Sequence, residues 1–117
     1  MSPGAPEAED AQLAVLARSA RLRALAPYGH GPVEGAAVRD ADGRTYTGAT
    51  VELRRQELGT TALRAALLIA AASGARGFEA AVVATTAGGL AEADAAVLAE
   101  LAPGARLHLV PVVAVET

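Results

Sequence analysis

The spacing of apolar residues divides the chain into alternating helices and strands. Over residues 7–25, Leu13, Leu16, Ala17, Ala20 and Ala24 recur at intervals that place them on one stripe of a helix. Glu7, Glu9 and Asp10 stand in its first turns and Arg18, Arg21 and Arg23 in its last, the polarity a helix dipole favours. Pro27 ends it. Strand-like runs at 35–39 and 44–51 flank Asp40-Ala41-Asp42-Gly43, and Asp-Gly between two such runs signals a hairpin. A second helix is predicted over 60–73, with Thr60 or Thr61 as N-cap and Gly74 just past its end. A strand over 78–85, a helix over 90–102 after Gly88-Gly89, and a last strand from Arg106 complete the pattern. Pro111 marks a break or an edge position in that strand. Helix–strand–helix–strand in the second half is the alternation of a crossover unit with parallel strands.

The expected architecture is a three-layer α/β/α domain on a mixed sheet of about four to five strands. Residues 1–6 read as a loose tail and 7–117 as one domain. The chain has 117 residues, 52% of them hydrophobic, but only Tyr28, Tyr46 and Phe78 are aromatic. Its core must therefore be built from Ala, Val and Leu. All ten basic residues are arginine, scattered along a chain of net charge -3, which leaves no footprint for nucleic acid or an anionic membrane. The absence of cysteine excludes disulfides, thiolate metal ligands and cysteine nucleophiles. No basic, apolar leader opens the sequence, and the longest apolar run, 65–72, is too short to span a bilayer. A cytoplasmic location is expected.

The segment Ala26-Pro27-Tyr28-Gly29-His30-Gly31-Pro32-Val33-Glu34-Gly35-Ala36-Ala37 resembles the A-P-Y-S and F-P-V-G-A-A elements of cytidine deaminases. Gly31 stands where that family has a substrate-packing phenylalanine, and Glu34 is an extra residue. The hairpin 42–52 is similar to the family's D-G-x-x-Y-x-G-C-N-V-E, and the likeness runs on without gaps to Gly74. In all it covers about 13–110. It implies the cytidine deaminase-like fold, and it also shows departures. Where the family carries C-A-E, with a zinc ligand and the glutamate that shuttles protons, this chain reads Thr61-Ala62-Leu63. The two cysteines of the family's P-C-x-x-C fall at Ala91 and Asp94. Zinc needs about three donors from Cys, His, Asp or Glu, and this set offers one. The resemblance therefore implies a member that has lost its zinc and catalytic residues, needing no metal or cofactor. The family's last strand and C-terminal helix have no counterpart before Thr117.

The ligand-binding candidates are Glu52, Thr50 and Thr61. The resemblance places Thr50 and Glu52 on the family's ribose-binding pair, where Glu52 would accept from a diol; the plainer alternative is a solvated glutamate held by Arg54 or Arg55. Thr60-Thr61 and Gly88-Gly89 lie at helix N-termini that the fold brings together, which can hold an anion, unless Thr61 and Glu92 cap those ends and Leu63 fills the old cavity. His30 and His108 lack any partner spacing; His108 is expected half-buried or bonded to backbone. Arg54-Arg55 reads as a solvated face, and Gly88-Gly89 lacks the lysine of a phosphate loop.

The leading functional reading is an inactive cytidine deaminase-like module for binding, scaffolding or regulation, retaining weak nucleoside or nucleotide binding or engaging a protein partner. The alternatives are a zinc-independent enzyme on a nucleoside or nucleotide with Glu52 or Asp94 as base, and an unrecognised deaminase homologue. Residues 60–73 (TTALRAALLIAAAS) carry one charge, Arg64, and are apolar nearly all round. One face packs on the sheet; the other needs a second cover, which predicts a homo-oligomer, tetramer or dimer, through this helix. A charge at Ala66 or Ala70, whichever lies opposite the sheet, would break it.

Overall fold

The computed structural model describes residues 8–114; the predicted tail and Glu7 lie outside them. A 3-10 turn, Ala8–Asp10, leads into α1 (Ala11–Arg21), followed by β1 (Gly35–Asp40), β2 (Thr45–Ala49), a 3-10 turn at Gln56–Leu58, α2 (Ala62–Ala72), β3 (Phe78–Ala84), α3 (Glu92–Leu101) and β4 (Arg106–Val110). The strands form one sheet in the order β2-β1-β3-β4. β1 pairs antiparallel with both β2 and β3, while β3 and β4 run parallel across the α3 crossover. This is the mixed α/β sheet read from the sequence.

The two-residue period of the strands sorts the core into two layers. Ala36, Val38, Ala81 and Val83 face α2, where they pack with Leu63, Ala66, Leu67 and Ala70. Ala37, Ala80, Val82, Ala84 and Val110 face α1 and its Leu13, Ala14 and Ala17. Ala66 and Ala70 both lie against the sheet, so the outward side of α2 is Leu68 and Ile69, each half-exposed. Both helices come down directly on glycine. A Cβ on Gly35 would collide with the carbonyl of Ala17 in α1; one on Gly48 would stand 2.6 Å from the Ala66 nitrogen in α2.

Local chemistry fixes the element ends. At the hairpin, Asp40 Oδ1 accepts from the N–H groups of Asp42 and Arg44, both at 2.9 Å, and Gly43 takes φ +86°. The C-terminus of α2 closes in a Schellman motif: Ala75 N–H donates to the Ala70 carbonyl, Gly74 N–H to that of Ala71, with Gly74 at φ +104°. α1 is shorter than its apolar stripe suggests. It ends at Arg21 because Leu25 has turned extended, its N–H donating to Thr50 O at 3.0 Å and its carbonyl accepting from Glu52 N at 2.7 Å. β2 likewise stops at Ala49, since Val51 exchanges bonds with Thr60 instead of β1.

The α1 side of the sheet also gathers a charge network. Asp10, fully buried, accepts from Arg39 at 2.6 Å, from Arg106 at 2.9 and 3.0 Å, and lies 2.9 Å from His108 Nε2. His108 is partly buried, one of the two expectations for it, and is bonded to a carboxylate and not to backbone. The Arg106 guanidinium, with Arg39 and His108, holds the Asp10 carboxyl far below the usual carboxylate range, against the opposing effect of burial. A depressed carboxylate contributes stability that is present above its ordinary pKa and is lost as pH falls below it. Asp10→Asn should therefore lower the melting temperature at pH 7 by about 5–10 °C. That gap to wild type should narrow as pH drops below about 4. Thermal denaturation followed by circular dichroism at pH 7 and pH 3 measures both, and an unchanged melting temperature at pH 7 would contradict the assignment.

Candidate functional site

Two helix N-termini meet beyond the end of the sheet where β1 begins and β2 and β3 finish. Thr61 is extended (ψ 161°) and caps α2, its hydroxyl oxygen accepting from Arg64 N–H at 3.4 Å. The same hydroxyl donates to Asp94 Oδ1 at 2.7 Å. Asp94 is buried in the first turn of α3, where the helix dipole favours a carboxylate. Thr61 therefore joins the two helix ends. Ala91, the α3 N-cap, offers no side-chain bond.

Beside this joint opens a cavity of about 450 Å³, whose walls include Glu34, Thr50, Glu52, Thr61, Arg64 and Asp94. All three ligand-binding candidates, Glu52, Thr50 and Thr61, thus line one pocket. The pocket is not filled by Leu63. That side chain is 1% exposed and belongs to the apolar core under α2, because α2 turns Leu63 onto the sheet and presents Arg64 to the cavity one residue later.

Glu52 is not the solvated glutamate held by arginine that the plainer reading gave. It is buried and accepts three backbone N–H bonds, from Tyr28 at 2.8 Å, Gly29 at 3.1 Å and His30 at 2.8 Å, with no arginine involved. Burial alone would raise its pKa; these N–H groups outweigh burial and hold the carboxyl below its ordinary range. Its work is to clamp the 28–30 segment that rims the cavity. The Tyr28 and His30 rings stack there with centroids 5.4 Å apart. Thr50 Oγ1 accepts from Glu34 N–H at 2.9 Å and so fixes the backbone at Glu34.

Two charged residues of the pocket were not among the sequence candidates. Glu34 is 8% exposed, and its Oε2 accepts from the Thr85 hydroxyl, which in turn accepts from Ala87 N–H at 2.9 Å. Burial raises the Glu34 pKa; the Thr85 bond opposes the shift and the nearby Asp94 charge adds to it. Arg64 Nε is buried without a hydrogen-bond partner. The signals were visible: Glu34 is the residue that the motif resemblance leaves over, and Arg64 is the lone charge of an apolar helix.

The zinc implied by the resemblance does not fit these residues. The two helix ends present Thr61, Ala91 and Asp94 where three donors are needed. Among the described residues, no three His, Cys, Asp or Glu side chains gather as a metal site. No helix of the described residues is long and apolar enough to cross a membrane.

Comparison with known proteins agrees with the fold. The chain superposes on the cytidine deaminase of Burkholderia pseudomallei with a TM-score of 0.74 and 33% identity, covering 85% of this chain and 80% of that one. For the cytidine deaminase of Mycobacterium tuberculosis the TM-score is 0.75 at 25% identity, covering 88% and 85%. The Mycobacterium leprae enzyme, at 22% identity, shares the fold with a TM-score of 0.77 over 86% and 87%. No curated sequence is significantly similar. The profile described as cytidine deaminase-like matches residues 6–114, and the chain belongs to that family.

Proposed function

We propose that this protein is a cytidine deaminase-like module that binds a small polar molecule in the 450 Å³ pocket without zinc-dependent deamination, in the cytoplasm. The observation that carries the reading is the pocket itself. It stays open at the joint of α2 and α3, with a few polar side chains in a mainly apolar lining, while Thr61, Ala91 and Asp94 do not make a zinc site. Leu63 adds to this. It stands at the family's proton-shuttling position, carries no exchangeable proton and is buried in the core. Nucleosides are the first ligand class to examine, because the similar solved structures are cytidine deaminases. Glu52 and Thr50 support binding from behind, by holding the rim and the Glu34 backbone; Thr61 fixes Asp94.

Protein grown with added zinc should carry well under one zinc per chain by elemental analysis, and should form no uridine from cytidine. Turnover of cytidine that disappears on chelation would reject the reading.

The outward face of α2 favours self-association as part of the same function. Leu68 and Ile69 are each 50% exposed, on a helix whose only charge, Arg64, turns to the pocket. A second copy packing α2 against α2 would cover this face with little loss of side-chain entropy at the neighbouring alanines. Light scattering at low micromolar concentration should give a dimer or tetramer. Ile69→Glu should give the 11.7 kDa monomer with an unchanged far-ultraviolet spectrum. A wild-type monomer would refute the oligomer.

A further inference from the structure

β4 ends the sheet on one side and is thinly covered. Its neighbour β3 is buried from Ala80 to Ala84, whereas Leu107, His108 and Leu109 are only partly buried. One bond fixes which way its backbone groups point. Thr85 N–H donates to the Val110 carbonyl at 3.0 Å, so Val110 faces β3. Successive residues of a strand turn their backbone groups to opposite sides. Arg106 and His108 therefore also face β3, and Leu107 and Leu109 face outward. Among the described residues, nothing bonds to those outward groups.

The open stretch is bounded at both ends. Pro111 has no N–H, and its carbonyl accepts from Arg18 Nε of α1 at 2.9 Å, which draws the chain away from the edge. The Ala105 N–H is taken by the Ala102 carbonyl at 3.1 Å. What is left is Leu107 and Leu109, whose side chains pack at the margin of the α2 core. β2, the opposite edge strand, is unlike it. Thr50 N–H donates to Glu34 O, so Thr45, Thr47 and Ala49 face outward there, and the Arg23 guanidinium lies 3.4 Å from Thr47 Oγ1. Polar side chains and a charge protect an edge from pairing; an apolar edge lacks that protection.

We propose that β4 pairs antiparallel with β4 of a second copy of this chain, about a twofold axis at His108. In that register Leu107 stands opposite Leu109 of the second copy, and Leu109 opposite its Leu107. Both are hydrogen-bonded pairs that exchange N–H···O bonds in each direction, so every outward N–H and C=O of Leu107 and Leu109 is satisfied. The leucine side chains then adjoin on the α2 face and carry the core across the axis. On the α1 face Arg106 meets Val110 of the second copy and not another arginine, while each His108 keeps Asp10 of its own chain at 2.9 Å. A slip of two residues either way would set a leucine against Ala105 or Pro111, whose N–H is used or absent, so the register is selected. The pairing is separate from the α2 contact and needs no ligand in the pocket. A strand this short buries little surface, so the contact is weak when it acts alone.

The test is amide hydrogen exchange read by nuclear magnetic resonance on the Ile69→Glu chain, which disrupts the α2 contact, with light scattering on the same samples. Between about 10 μM and about 1 mM protein, exchange at Leu107 and Leu109 should slow by roughly fivefold or more as the mass rises toward a dimer. His108 and Val110, bonded to β3, should be protected at both concentrations. Adding Leu109→Pro removes one outward N–H without breaking a bond to β3, and Leu107 should then exchange fast even at about 1 mM. Circular dichroism checks that this second variant folds; if it does not, the exchange and mass of the unaltered edge decide. Fast exchange at Leu107 and Leu109 at the higher concentration overturns the pairing, even if the copies remain associated through another surface. Slow exchange in a monomer means that the chain covers its own edge, and also overturns it. Protection of Leu107 that survives Leu109→Pro overturns the register.

Discussion

Two helices resting directly on backbone set the geometry of this protein. α1 meets the sheet at Gly35 and α2 meets it at Gly48, each so closely that a single Cβ would force the layers apart. Such close approach demands small neighbours, and the facing strand positions are Ala36, Ala37, Ala80, Ala81 and Ala84 with valines between. A chain with three aromatics among 117 residues can build a dense core only in this way. The consequence for the site is direct. Because α2 is seated on β2 at Gly48, its N-terminus lies beyond the end of the strands, where Thr61 reaches Asp94 of α3 at 2.7 Å.

The buried acids show how the remaining polar structure is organised. Asp10 is matched by Arg39 and Arg106, Asp40 by the hairpin N–H groups, and Glu52 by three N–H groups of the 28–30 segment. The effect in each case is a carboxyl held below its ordinary range. Glu34 differs. Its protein donor is the Thr85 hydroxyl, and burial moves its pKa the other way. Asp94 is likewise served by one hydroxyl, that of Thr61, so the two buried acids with a single side-chain donor both line the cavity.

Much of this was legible in the sequence, for reasons that are local. The Asp42-Gly43 hairpin, the Thr61 cap with Gly74 past the helix end, and the short apolar run at 78–84 all follow from backbone preference and local pattern. The family emerges from motif order. What was not legible is long-range. Asp10 and His108 are 98 residues apart in sequence, and nothing in either neighbourhood announces the other. Periodicity also cannot say which residue of a helix's first turn faces a cavity. Leu63 was expected there as an apolar plug; the seating of α2 sends it to the core and gives the cavity Arg64. Glu52 was legible as a site residue but not as a clamp, since its partners are backbone N–H groups without a sequence signature.

The clamp links these points. Leu25 ends the turn after α1 by bonding to Thr50 and Glu52; Glu52 then holds Tyr28, Gly29 and His30, and Thr50 holds Glu34. The rim and one wall of the pocket are thus fastened to the same short stretch, 50–52, which lies between β2 and the cap of α2. Each of these bonds uses backbone on at least one side, so the shape of the site depends little on mobile side chains. A pocket fixed in this way has little conformational freedom of its own, and the polar atoms of its walls still without a partner among the described residues include those of Glu34 and Arg64.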